Sequence, residues 1–183
     1  MSLEKQFRAL ARRARLSVAR GILNLVNDGT GIQLGQVSLM ANEVRSNMER
    51  FQEYGLTSNP LPGAEAAVIF VGGERGHGLI IAVDDRRYRL TGLQNGEVAL
   101  YTDEGDSIIL KRGRNVEINT ITLTINAQEE IIADTPVFRC TGDIIDRSDT
   151  NPHTLDGMRD IYNIHVHPEN DSGGPTDPPT TPM

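Results

Sequence analysis

At 183 residues, the chain has room for one ordinary globular domain or for a small domain followed by something elongated. Hydrophobic residues make up 38% and aromatics 4%, with no Trp, so a large self-sufficient core is hard to build from one copy and part of the apolar burial is expected from other copies. A formal net charge of -7 argues against a nucleic-acid partner, and a single cysteine, Cys140, excludes an intrachain disulfide framework.

Residues 2–22 place Leu3, Phe7, Leu10 and Ala14 at helical spacing, with Arg8, Arg12, Arg13 and Arg15 on other faces. The expectation is a basic amphipathic helix that docks on a partner or on its own domain, with Arg8, Arg12 and Arg13 as the docking cations. No run approaches the roughly 20 apolar residues needed to span a bilayer, and a signal-peptide core is not expected at the N-terminus.

From about residue 20 to 93 the pattern changes to short runs at 22–26, 32–37, 66–71 and 79–83, separated by turns such as Asn27-Asp28-Gly29 and Asn59-Pro60-Leu61-Pro62-Gly63. Residues 42–51 read as a short helix or a ragged strand. Short strands at this density predict a small closed barrel, with the OB type leading. The Gly72-Gly73-Glu74-Arg75-Gly76-His77-Gly78 segment lacks the ending of a phosphate loop and is expected to be a hairpin turn carrying a surface histidine.

Beyond residue 95, strand-like runs at 98–101, 107–111, 115–119, 121–125 and 130–133 follow one another with much strict alternation. A period of two puts Val116 with Ile118, and Ile121 with Leu123 and Ile125, on apolar stripes that one chain cannot cover. Three copies wound about one axis would bury the stripes and pair the edges; a hairpin meander packed on the first domain is the competing arrangement. Cys140, in the apolar run 135–141, is expected as a small core residue.

Residues 141–183 are acidic and turn-rich, and the stretch from Asp171 to Met183 has the composition of disorder, so it must be held down to be useful. Within it lies Asn163-Ile164-His165-Val166-His167-Pro168-Glu169. In an extended segment His165 and His167 project to the same side about 7 Å apart. Three copies would then offer six nitrogens in two stacked triangles. That octahedral donor set suits iron or nickel better than zinc or calcium, and iron is the first choice. Such a site is saturated and structural.

An H-x-H pair alone is also compatible with packing or surface histidines. Two enzymatic alternatives fit less well: a cupin-like site with Glu169 lacks a later histidine, and an amidohydrolase-type pair belongs near the start of a long barrel. Asp143, Asp146 and Asp160 are candidate ligands for calcium or another axial ion, against the simpler reading of a solvated acidic surface.

Gly142-Asp143-Ile144-Ile145-Asp146, the run from Met158 to Pro168 and the Gly/Pro tail closing on Met183 carry a family resemblance. The chain looks like a central spike protein of a contractile-tailed bacteriophage, of the baseplate assembly protein V family, and is close to the spikes of the Mu-type phages. The resemblance implies an all-β homotrimer: an N-terminal arm at 1–20, an OB-fold domain at 21–94, an intertwined trimeric β-helical shaft at 95–150 and a metal-bound tip at 151–183. It also implies one iron ion per trimer held by His165 and His167 of each chain, while calcium remains a candidate from the acidic run alone. The expected partners are tail hub and baseplate proteins and the host outer membrane, which is pierced on sheath contraction. The expected place is the virion baseplate after assembly in the host cytoplasm, and no enzymatic activity is expected. Val166 departs from the small polar Thr frequent at that point and affects only packing around the ion. The alternative function is an OB-fold binding module of a tail or hub assembly without a puncturing role.

Overall fold

The computed structural model describes residues 3–168 and 173–183, and their side chains except those at 9, 12, 13, 15 and 41. It divides into two compact units, residues 1–123 and 124–183. Strands dominate the first unit: helix α1 (Leu3–Leu16) precedes β1 (Val18–Asn27), β2 (Gln33–Ser38), β3 (Val44–Arg50), β4 (Glu65–Phe70) and β5 (Gly78–Asp84), followed by β6 (Val98–Tyr101), β7 (Ser107–Lys111) and β8 (Asn115–Asn119).

The first five strands close into a barrel in the order β1-β2-β3-β5-β4, the small closed architecture expected from the sequence. Closure uses a parallel pairing of β3 with β5, where Glu49 meets Leu79 and Arg50 meets Ile80. The ten-residue β1 serves two neighbours, pairing with β2 through Ile22–Asn27 and with β4 through Val18–Ile22. A strand that bends between two partners needs a residue without bulk at the corner. Gly21 supplies it, since a Cβ there would lie 2.5 Å from the Ser38 carbonyl oxygen and 2.5 Å from Val37 Cγ1.

Period-two alternation fills the barrel. Val37 on β2, Ala66, Val68 and Phe70 on β4, Leu23 on β1, Met48 on β3 and Ile80 on β5 point inward and are buried together with Leu39 and Ala64. The buried Gln33 is satisfied: its amide donates to Asp28 Oδ1 and to the Ser58 carbonyl, and its Oε1 accepts from Arg50. Among the described residues no buried side-chain polar atom lacks a partner.

One expectation changes here, and one left open is settled. The N-terminal helix ends at Leu16 rather than near residue 22, because Val18 and the residues after it gain a ladder against β4, and tertiary pairing overrides helical spacing. Residues 44–50 are a strand, ragged as the sequence suggested, with Asn47 at a φ of 57° and a register shift between Gly35 and Val37 on its neighbour. The Gly72–Gly78 segment is the β4–β5 connection, and His77 is exposed on it.

Strands β6, β7 and β8 form a separate antiparallel sheet. Its register pairs Val98 with Leu110 and Leu110 with Val116, and Leu100 with Ile108 and Ile108 with Ile118. Residues directly opposite share a face, so six aliphatic side chains stand together on one side, and all six are exposed. The other face carries Lys111 and Glu117, paired at 2.6 Å.

The further strands expected at 121–125 and 130–133 do not form in the single chain, and residues 120–154 contain no strand. Their apolar side chains stay in solvent: Ile121 is fully exposed, and Leu123, Ile125, Ile131, Ile132, Val137 and Phe138 are exposed as well. A strand needs a partner for its main-chain groups, and one copy supplies none here. Cys140 is for the same reason exposed rather than in a core.

In the second unit the regular element is α2 (Leu155–Ile164), a helix the sequence reading passed over as turn-rich. Thr154 caps it, its Oγ1 accepting from the Gly157 amide at 3.0 Å, and Asp156 sits in the first turn where the helix dipole favours an acid. Among the described residues no helix is long and apolar enough to cross a membrane.

Candidate metal centre

Helix α2 positions the histidine pair. An α-helix leaves its last carbonyls without intrahelical donors. One of them, the carbonyl of Tyr162, accepts from His165 Nδ1 at 2.6 Å. A carbonyl oxygen can only accept, so this contact requires the proton on Nδ1, and a neutral ring would then offer the Nε2 lone pair. This is the arrangement in which a ligating imidazole is held by a second hydrogen bond.

His165 leaves the helix with extended backbone, φ −69° and ψ 144°. The chain then brings the two rings together with centroids 5.1 Å apart and planes at 87°. Tyr162 flanks the pair, its ring centroid 5.3 Å from that of His165. His167 is exposed and His165 partly so, which leaves the nitrogens accessible to an ion. Imidazole nitrogens are donors for first-row transition ions as a class. Among the described residues, however, no group of three or more His, Cys, Asp or Glu gathers within one chain. A complete coordination sphere would therefore need donors from other copies.

The acidic candidates are separate from the pair. Asp143 and Asp146 lie in the irregular segment before α2, and Asp160 lies on α2; all three are exposed. Asp146 accepts from Asn151 Nδ2 at 2.7 Å, an ordinary turn contact. Glu169, the carboxylate of the cupin-like alternative, lies outside the described residues, as does Asp171.

At the other end of the chain, Arg8 extends from α1 and pairs with Glu4 one turn away, at 3.8 Å, with both side chains in solvent. The side chains of Arg12 and Arg13 lie outside the described residues. Leu3, Phe7 and Leu10 are exposed on the same helix.

The tail is attached through contacts that its composition does not reveal. The His167 amide donates to Thr176 Oγ1 at 2.9 Å, and the Thr176 amide donates back to the His167 carbonyl at 2.9 Å. The amide of Met183 donates to Asn163 Oδ1 at 2.8 Å. Threonines interleaved with prolines were the available signal, since proline leaves fewer main-chain donors to anchor such a segment.

Comparison with known proteins bears on what this arrangement belongs to. The chain is 36% identical to the baseplate puncturing device gp45 of Escherichia phage Mu over 97% of its own length and 95% of that protein's. The chain belongs to the bacteriophage Mu gp45 family. A Mu-like prophage FluMu protein gp45 of Haemophilus influenzae is 37% identical over 81% of this chain and 86% of its own length. The family described as Bacteriophage Mu Gp45, N-terminal, matches residues 20–87, which contain nearly all of the barrel.

Proposed function

We propose that the chain is the central spike of a contractile phage tail, a homotrimeric baseplate component that pierces the host outer membrane when the sheath contracts. The observation that carries this reading is the near full-length likeness to a protein named as a baseplate puncturing device. The match covers 97% of the chain and so extends into both units.

Two structural features support the trimer. The β6–β7–β8 sheet leaves a whole face of Val, Leu and Ile side chains in water, and residues 121–138 leave an alternating apolar series without partner strands. Wound with two copies about an axis, residues 95–150 form an intertwined β-helical shaft in which each chain's edges and stripes are closed by its neighbours. The barrel of residues 21–94 and the arm of residues 1–20 attach this shaft to hub and baseplate proteins of the tail.

Piercing of this kind needs stiffness, not bond chemistry. In an intertwined shaft, local opening disturbs all three chains at once, so fraying is resisted everywhere except at the ends. At the tip, residues 151–183, His165 and His167 of the three chains would hold one iron ion, which supplies a saturated cross-link and no open coordination position. The test is the double substitution His165→Ala with His167→Ala. The expected result is loss of the iron with retention of the trimer; retention of stoichiometric iron would overturn the ligand assignment.

A further inference from the structure

The tail beyond the histidines is tied to them by residues that have no donor role toward an ion. Thr176 closes both main-chain polar groups of His167, one with its hydroxyl and one with its own amide, each at 2.9 Å. Met183 then reaches Asn163, two positions before His165, with an amide-to-Oδ1 bond of 2.8 Å. The contacts thus bracket the pair, with Thr176 fixing the second histidine and Met183 fixing the end of α2 just before the first.

The composition of this segment makes sense as a tether. Pro175, Pro178, Pro179 and Pro182 hold φ near its extended value and remove main-chain donors. Ordering an unrestricted residue costs about 1–2 kcal/mol of backbone entropy, and prolines have already given up much of that freedom in the unfolded chain. Of the five main-chain donors left in residues 176–183, the amides of Thr176 and Met183 are used toward the histidine segment. A merely solubilising tail has no need of bonds to the two residues that flank and include a ligand.

We propose that residues 176–183 are a strap that positions His165 and His167 as ligands for a nitrogen-preferring divalent first-row ion, with Thr176 as the positioning residue for His167. The inference rests on the metal reading given under Proposed function. The strap holds the main chain of His167, while the Tyr162 carbonyl holds the ring of His165, so each histidine is fixed by a different outer contact. Such outer contacts typically change metal affinity by about 10–100-fold when removed.

The experiment compares the full-length protein, Thr176→Val and a chain ending after Gly174, each loaded with ferrous iron. Iron content is measured per chain, and its release to a chelator is followed over time. Main-chain exchange at His167 is measured in the stripped proteins. Thr176→Val, which keeps shape and removes the acceptor, is expected to release iron about 10-fold faster and to lose protection at the His167 amide. The shortened chain is expected to release it faster still. An unchanged release rate in both variants, from a full-length protein that does hold iron, would overturn the strap alone. A full-length protein that takes up no iron would overturn the metal reading, and the strap as a ligand-positioning device with it.

Discussion

Ile118→Asp is the substitution that separates a chain working alone from one buried in a trimer. In the single chain Ile118 keeps 48% of its surface exposed, on edge strand β8, where it extends the aliphatic face of the β6–β7–β8 sheet beside Ile108. If that exposure persists in solution, the change is a surface substitution worth within about 0.5 kcal/mol. If the face turns toward a threefold axis, the arithmetic differs. Full burial of such a side chain is worth about 1.5–3 kcal/mol, so the half still exposed is worth about 1 kcal/mol per copy and about 3 kcal/mol per trimer. Burying an unpaired carboxylate adds several kcal/mol for each ion, and three like charges would converge. Since about 1.4 kcal/mol is tenfold in an equilibrium constant, the trimer should weaken by well over 100-fold. Sedimentation velocity across a dilution series reads this directly, with Asn115→Asp on the opposite face as the control. An Ile118→Asp protein with the assembly state and melting temperature of the unsubstituted chain would refute the buried face.

Two predictions concern the barrel. Gly21→Ala drives a methyl group into the Ser38 carbonyl and Val37, and overpacking of this kind costs about 1–3 kcal/mol, seen as a lower denaturation midpoint with an unchanged slope. Glu43 is held below its ordinary value, chiefly by its hydrogen bonds from the Arg75 side chain and further by Arg45. Because the folded value is depressed, this contribution is present above the ordinary value of 4.5 and is lost as pH falls through the lowered one. The stability gap between the unsubstituted protein and Glu43→Gln should therefore be open at pH 7 and close in acid. A gap independent of pH would contradict the assignment.

The barrel was legible because its signals are local. Alternation at Ala66, Val68 and Phe70 states which face is inside, and turns such as 27–29 state where strands stop. The helix boundary at Leu16 was not legible, because the residues after it are settled by a ladder to β4, more than 40 positions away. The strand at 44–50 was ambiguous for a related reason, since its parallel pairing with β5 leaves no short-range mark. Strands expected at 121–125 and 130–133 carry the right alternation and do not form in one chain, since alternation specifies a face and cannot supply a partner.

For the candidate centre, sequence singled out His165 and His167 by their spacing, their place before the Gly/Pro tail and the family resemblance. Spacing could not anticipate α2, whose start is marked by Thr154 but masked by Gly157 and its acidic neighbours, and it could not assign the His165 proton. The tail was read as compositionally disordered, because composition reports how many donors a segment has and not what the remaining ones reach.

The stoichiometry of the particle tests the shared shaft and the shared tip together. Native mass spectrometry of the purified full-length protein, with elemental analysis of the same sample, should give a mass of three chains carrying one iron ion. A monomer free of metal would contradict both the shared shaft and the shared tip.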